Sequence, residues 1–278
     1  MFFNNIVTRE TVKEALASHK LHPSVPDIVV EIINITQSPD ATINDLVNVV
    51  NKDQELSEHI IHISKSGFHP KHEVESVSDA IILMGWNAIK MISLGSTILK
   101  KMSDKDKRLY SHSVRTAHIA RFLAVEANFY KAEEIAVVGL LHDLGLIILA
   151  EYFNDIYLKT KQYSIDRGCP MHVAERKLLG VDHAEIGGWT VEEWNLPENI
   201  IESVTRHHSF DPDSYHAKKT AVIHIADILA LATDYAGPPW EKVSELFPSA
   251  LKVLGFSEME LRDLVLAIMK MKFDTLIF

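Results

Sequence analysis

Histidine and aspartate side chains occur at three places in this sequence where packing alone does not explain them. His142 and Asp143 are adjacent within the apolar stretch IAVVGLLHDLGLIILAEYF, and Asp227 lies within a second one, AVIHIADILALA; each stretch predicts a buried helix. His207 and His208 follow the segment ENIIESVTR, whose apolar stripe they continue. A carboxylate buried without a cation is strongly disfavoured, and it ionises only if a positive charge is near. These placements therefore predict a bound metal ion.

Two single histidines extend the set. His112 precedes Ile119 by seven residues, so the two side chains share one face of a helix. His183 opens the segment DHAEIGGWTVEEW, in which Gly187 and Gly188 would let helices pack closely. Taken alone, each is more typical of a hydrogen-bonded core or capping histidine. The other histidines of this half are interpreted as surface or second-shell residues: His118, His172, His216 and His224.

The predicted metal ligands are His112, His142, Asp143, His183, His207, His208 and Asp227. They offer only nitrogen and oxygen donors, which suits Fe, Mn, Zn or Ni better than a thiolate-type structural zinc site. A shared carboxylate such as Asp143 could bridge two ions about 3.5–4 Å apart, so one or two ions are expected. The alternative is that these side chains are hydrogen-bonded core residues without metal; for Asp227 alone, a buried acceptor role is equally reasonable.

Helix signals recur along the chain and no strand pair with a hairpin turn is evident, so an all-α fold is predicted. Capping boxes at Thr42–Asp45, Ser76–Asp79 and Ser257–Glu260 mark three helix starts. The charged run KKMSDKDKR at 100–108 and the Ala-Gly-Pro-Pro break at 236–239 suggest boundaries. We therefore expect an N-terminal helical lobe at 1–105, a metal-binding lobe at 106–235 and C-terminal helices at 236–278.

Composition restricts the function classes. The 278 residues are 47 % apolar, which is typical of a globular protein, and the net charge of −10 argues against a nucleic-acid partner. The single cysteine excludes an internal disulfide and fits a reducing compartment. No signal peptide and no uninterrupted apolar run of membrane-spanning length is evident, so a cytoplasmic location without membrane contact is expected.

Several segments together resemble a known family. LLHDLG at 140–145, DHAEIGGW at 182–189, RHH at 206–208 and IAD at 225–227, with His112, resemble the HD superfamily of metal-dependent phosphohydrolases. The segments from HPSVPDIVVEI at 22–32 and SVSDAIILMGWNAIKMISL at 76–94 resemble the HDOD branch. The resemblance covers about residues 21 to 235. It implies an HD-domain-like helical bundle preceded by an N-terminal HDOD lobe.

The resemblance also implies two alternative functions. Many HDOD members have lost metal ligands and act in signalling, whereas the full set of ligand positions here is similar to the binuclear sites of HD-GYP phosphodiesterases. By that likeness His112, His142, Asp143 and Asp227 would hold one ion, and Asp143, His183, His207 and His208 the other.

Two features depart from the HD-GYP pattern: Leu146 replaces a lysine, and residues 209–213 replace the Gly-Tyr-Pro loop. We therefore expect a signal-transduction module that holds metal and acts on a partner protein. The alternative is a hydrolase of a nucleotide or cyclic dinucleotide, in which Asp143 and His142 would be catalytic.

Overall fold

Helices and the turns between them make up most of the described residues. The computed structural model describes residues 7–17, 28, 31, 32, 34, 35, 38–65, 74–86, 88, 89, 92, 93, 107–130, 132–233 and 243–271. Within these ranges no strand is present, so the all-α prediction is confirmed. The helices are α1 (Arg9–Ala17), α2 (Ile43–Val50), α3 (Gln54–Lys65), α4 (Val77–Met84), α5 (Lys107–Glu126), α6 (Ala132–Leu141), α7 (Leu144–Tyr152), α8 (Asn154–Arg167), α9 (Met171–Leu179), α10 (His183–Glu193), α11 (Glu198–Thr205), α12 (Ala217–Ala232), α13 (Pro248–Leu254) and α14 (Glu258–Ile268).

The chain forms two compact units. Unit 1 comprises Met1–His22 and Leu141–Met269, and unit 2 comprises Pro23–Leu140 and Lys270–Phe278. Unit 1 joins α1 to the helices after residue 141, and unit 2 contains α2 to α5. The predicted boundaries near 105 and 235 lie outside the described residues and stay predictions.

Helix starts follow the sequence signals. The side chains of Thr42, Ser76 and Ser257 each accept a hydrogen bond from the backbone N–H three residues later. The acidic side chain at that later position accepts the backbone N–H of the capping residue in return. These reciprocal bonds satisfy amides that the first helical turn leaves unpaired. All three predicted capping boxes are therefore confirmed.

Two predicted helix placements are wrong. Helix α6 ends at Leu141 and α7 begins at Leu144, so His142 and Asp143 occupy a turn rather than the middle of one helix. Helix α11 ends at Thr205, so His207 and His208 also lie in a turn. The continuous apolar pattern hid the first break, since both flanking helices are buried. Asp227, in contrast, lies within α12 as expected.

Close helix packing in unit 1 depends on glycine. A Cβ atom placed on Gly145 of α7 would lie 2.7 Å from the carbonyl carbon of His183 and 2.9 Å from the amide nitrogen of Gly187. A Cβ atom on Gly187 would lie 3.1 Å from a methyl group of Val204. Because backbone approaches backbone here, α7 and α10 bring Asp143 and His183 together. The expected role of Gly187 is confirmed.

The N-terminal helix braces α10 within unit 1. The Arg9 guanidinium bonds the Glu185 carboxylate at 2.6 Å and lies 5.0 Å from the ring centroid of Trp189. Val12 and Leu16 of α1 are buried. Both polar contacts involve α10, the helix that begins at His183.

One segment, Glu134–Tyr152, is long and apolar enough by composition to cross a membrane, with a mean hydropathy of 1.8. In the structure 83 % of that window is buried inside the protein. It also contains the turn with His142 and Asp143, which suits a core segment better than a lipid-facing one. Length and composition here are weak evidence for a membrane span.

Candidate metal centre

Six of the predicted ligands converge in unit 1. His142 and Asp143 come from the α6–α7 turn, and His183 is the first residue of α10. His207 and His208 come from the turn after α11, and Asp227 projects from α12. We call these six side chains the His/Asp centre. Five of these residues are buried. His208 is partly exposed, although only 7 % of its side chain is accessible.

Asp143 occupies the middle of the His/Asp centre. Its Oδ2 lies 3.2 Å from His142 Nε2, while its Oδ1 lies 3.2 Å from His183 Nε2 and 3.8 Å from His207 Nε2. Asp143 sits at the N-cap position of α7 but makes no side-chain capping bond. Both oxygens are therefore directed at histidines instead of the helix start. A carboxylate that faces two sides in this way has the geometry of a bridging ligand.

Within unit 1, two three-residue groups of described residues have ligand atoms close enough to share an ion. One consists of His142, Asp143 and His207, and the other of His183, His207 and His208; within each group the ligand atoms lie within 4.8 Å of one another. His183 Nε2 and His208 Nε2 are 2.9 Å apart. Nitrogen ligands at roughly 2.0–2.1 Å from an ion lie roughly 3.0–3.4 Å from each other, so this spacing suits shared coordination.

The ring orientation of His207 is set by its backbone neighbour. His207 Nδ1 donates to the Val204 carbonyl at 2.7 Å, since a carbonyl oxygen can only accept. In the neutral ring Nε2 therefore carries a lone pair. That buried atom has no hydrogen-bond partner among the described residues, and it faces Asp143 Oδ1. A lone pair beside a carboxylate oxygen is repulsive unless a cation lies between them, which is the environment of a metal ligand.

His183 is oriented by a carboxylate. Glu175 Oε2 accepts the His183 backbone N–H at 2.8 Å and the ring Nδ1–H at 2.7 Å. The ring Nε2 is thereby left to face Asp143 and His208. Metal-binding histidines are usually held in this way by a carboxylate on the other ring nitrogen.

The carboxylates raise the pKa of two histidines. Burial acts to lower the pKa of His142, but the charge of Asp143 and the hydrogen bonds that Asp143 and Asp227 accept from the ring raise it to about 10. Burial likewise opposes protonation of His183, yet Glu175 and Asp143 raise its pKa well above the usual range. For Asp143 itself burial acts to raise the pKa, but the charges and hydrogen bonds of His142 and His183 together outweigh burial and hold the pKa well below its usual range.

The other two histidines are kept neutral. Burial, together with the charges of His142 and His183, lowers the pKa of His207 to about 3. Burial and the neighbouring His207 and His183 hold the pKa of His208 well below its usual range. Without metal, the centre therefore combines protonated and neutral imidazoles in one buried cluster. The neutral rings offer the lone pairs that a divalent ion needs.

The donor set fits a transition-metal ion. It contains imidazole nitrogen and carboxylate oxygen and no thiolate, the combination suited to Fe, Mn, Zn or Ni. Besides His207 Nε2, the buried His208 Nδ1 also has no hydrogen-bond partner among the described residues. Buried polar atoms in proteins are almost always satisfied, and two unsatisfied nitrogens in one centre are available to coordinate a cation. The buried His/Asp clusters could hold metals.

His112 belongs to unit 2. It lies in the second turn of α5 and is buried, with Nε2 3.5 Å from Thr116 Oγ1. The prediction that it faces inward is thus consistent with its burial. Its role as a metal ligand stays a prediction.

Sequence reasoning missed Glu175 altogether. Its side chain is completely buried, one turn before the buried Leu179 on α9. Residues four apart share one face of a helix, so this spacing places a carboxylate on an apolar face. An acidic residue in apolar surroundings is also the pattern that identifies Asp227. His183 lies only eight residues further along the chain.

Two other histidines lie around the centre. His224 is buried, donates from Nδ1 to the His207 carbonyl at 2.7 Å and accepts the Phe247 N–H on Nε2 at 3.1 Å. It therefore supports the turn that carries His207. The ring of His172 stacks on that of His208, with centroids 4.2 Å apart. Both agree with a second-shell position rather than a surface one.

Comparisons with known proteins identify a family that matches this chain. The HDOD domain pattern matches residues 22–210, a range that includes all the predicted ligands except Asp227. An uncharacterized protein from Treponema pallidum (strain Nichols) is 26 % identical over 200 residues, which are 69 % of this chain and 39 % of that protein. The chain thus spans about two fifths of the length of that relative.

Solved structures share the fold. An HDOD domain protein with unknown function from Geobacter sulfurreducens matches with a TM-score of 0.68 and 23 % identity, over 94 % of this chain and 97 % of that chain. A "Putative phosphohydrolase" from Shewanella amazonensis matches with a TM-score of 0.68 and 19 % identity, over 94 % and 95 %. A "Putative signal transduction protein" from Marinobacter aquaeolei matches with a TM-score of 0.65 and 19 % identity, over 96 % and 67 %. The sequence pattern and the shared helical fold agree, and the chain belongs to the HDOD family.

Proposed function

We propose that this chain is a bacterial signal-transduction module whose His/Asp centre holds one or two divalent transition-metal ions. The observation that supports it best is the convergence in unit 1 of six histidine and aspartate side chains, five of them buried, with unsatisfied neutral nitrogens. His142, Asp143 and Asp227 would bind on one side and His183, His207 and His208 on the other. Asp143 would bridge the two sides, and the role of His112 as a ligand stays a prediction from the sequence.

Two observations favour signalling over rapid catalysis. The side chains of His142, Asp143 and Asp227 are at most 5 % exposed, which leaves little room for a phosphoester to reach ions held there. Leu146, one turn after Asp143, is a buried apolar residue that supplies no cation for a developing phosphate charge. The proposed module works in the cytoplasm with a protein partner and without nucleic acid, in keeping with its net charge of −10.

Metal-dependent phosphohydrolysis is the second candidate. The geometry that favours it is the Asp143 carboxylate, which faces a different histidine with each oxygen. A pair of divalent ions supplies an activated water and a clamp for phosphate oxygens. In this chain Asp143 and His142 would then hold and orient the reacting groups.

One experiment separates the candidates. Protein purified without chelator is analysed for Fe, Mn, Zn and Ni, and the metal-loaded protein is assayed against nucleotides and cyclic dinucleotides. Signalling predicts one or two ions per chain with turnover no faster than that of Asp143→Asn. Rapid hydrolysis that the Asp143→Asn variant loses would establish the enzyme instead, and absence of metal would overturn both.

A signalling module must also change its structure or its dynamics when the metal binds. Hydrogen exchange of the metal-loaded and chelator-treated protein should differ beyond the ligand turns themselves, in the helices that carry them. Identical exchange outside residues 140–145 and 205–209 would count against a signalling role, because no change would then reach a partner.

A further inference from the structure

Glu175 makes contacts that a structural carboxylate does not need. Its side chain is completely buried on α9, and a single oxygen, Oε2, accepts both the backbone and the ring N–H of His183. The other oxygen, Oε1, is buried without a hydrogen-bond partner among the described residues. A carboxylate so placed is stable only where positive charge compensates it.

Helix capping does not account for this arrangement. The N-cap of α10 is Asp182, whose side chain accepts the Glu185 N–H at 3.0 Å and pairs with Arg176 at 2.6 Å. The His183 amide needs one acceptor, and a neutral side chain could supply it. The second bond, to the His183 ring, has no capping purpose.

We infer that Glu175 is a positioning residue of the metal centre, acting through His183. Its carboxylate holds the Nδ1–H form of the ring, so that Nε2 presents its lone pair to the group formed with His207 and His208. This inference rests on the proposed metal centre. It assigns to Glu175 the tuning of a ligand rather than contact with the ion.

The charge of Glu175 matters as well as its hydrogen bond. Asp143, Asp227 and Glu175 are buried carboxylates that share one region of unit 1. Together with neutral imidazoles they carry more negative charge than one divalent ion neutralises. A negative group behind His183 makes the imidazole a stronger donor and stabilises the bound cation.

The test measures Zn²⁺ affinity by competition with a chelating dye at pH 7. Glu175→Gln keeps an oxygen acceptor at the same place and removes the charge, whereas Glu175→Ala removes both. We expect binding about 10-fold weaker for Gln and about 100-fold weaker for Ala, the range found for such outer carboxylates. Glu185→Gln is the matched control, since Glu185 lies in the first turn of α10, two residues after His183, but bonds Arg9 instead of a ligand.

A second readout does not depend on the variants' stability. Nitrogen NMR of the wild-type protein should show His183 protonated at Nδ1 both with and without Zn²⁺. A His183 ring protonated only at Nε2 in the metal-free protein would overturn the inference. So would equal Zn²⁺ affinity for wild type, Gln and Ala in folded protein. Wild-type protein that binds no Zn²⁺ would instead overturn the proposed function, so the two failures are distinguishable.

Discussion

Asp143 is the residue on which the centre depends most, because it contacts histidines on both sides. Its oxygens lie 3.2 Å from His142 Nε2 and 3.2 Å from His183 Nε2. Asp227 also faces two histidines, but at longer distances: its Oδ1 lies 3.6 Å from His142 Nε2 and its Oδ2 lies 3.9 Å from His208 Nδ1.

Replacing Asp143 with Asn should therefore abolish tight metal binding while keeping the side-chain shape. Loss of a ligand exceeds the effect of an outer residue, so affinity should fall by more than about 100-fold. Metal analysis after gel filtration measures it, with Asp155→Asn on the exposed start of α8 as control. Full metal content in Asp143→Asn would show that the ions, if any, bind elsewhere.

Metal binding should release protons. Without metal, His142 has a pKa of about 10 and the pKa of His183 is raised well above 6.5, so both rings carry a proton at pH 7. A metal ion must displace those protons from the two rings. Because protons compete less well as the pH rises, the metal affinity should increase from pH 6 to pH 8. Calorimetry in buffers of different ionisation enthalpy should find about two protons released per loaded centre. Affinity independent of pH would contradict the assigned protonation.

At the scale of elements, turns and helix ends present most of the ligands. Asp227 alone of the six lies in a helix interior, whereas His183 begins α10 and the two other pairs lie in turns. A turn lets neighbouring side chains converge on one point, which adjacent positions of a straight helix, about 100° apart, do less readily. The helices bring these turns and helix ends together. Gly145 and Gly187 allow the close distance between α7 and α10.

Gly145→Ala should separate Asp143 from His183. The added methyl would meet backbone atoms on two sides, at 2.7 Å and 2.9 Å, and backbone cannot rotate away. We expect a loss of about 1–3 kcal/mol in the free energy of unfolding, together with weaker metal binding. Gly180→Ala is the control: its φ of +75° makes alanine unfavourable by about 1–2 kcal/mol, but no atom lies near the new methyl. Equal metal affinity in both variants would contradict the argument.

The sequence predicted which side chains gather in the His/Asp centre better than it predicted the elements that carry them. The capping boxes and the apolar surroundings of Asp227 depend on local patterns, and the structure agrees with them. The α6–α7 break is not local, because buried residues on both sides give one continuous apolar pattern. Glu175 was missed since its partner is a histidine ring placed by tertiary packing, which one sequence pattern does not reveal.

At the scale of the whole molecule, the bound ions should stabilise unit 1, which contains the His/Asp centre. An ion present at 100 times its dissociation constant adds about 2.7 kcal/mol to the free energy of unfolding. For a chain of this size that corresponds to a change of roughly 5–10 °C in Tm. Differential scanning calorimetry before and after treatment with a chelator measures it. An unchanged Tm despite complete metal removal would show that the ions do not stabilise the fold.

The same comparison tests His112, which the sequence predicts as a ligand and which lies in α5 of unit 2. If His112 binds metal, chelation should weaken hydrogen-exchange protection in α5 around residues 109–116, because a ligand bond that fixes the helix is lost. His112→Gln should then reproduce that loss in metal-treated protein and lower the metal content. His62→Gln on α3 is the control, since the His62 side chain is exposed. Protection in α5 that is the same with and without metal would remove His112 from the ligand set and leave a centre built from unit 1 alone.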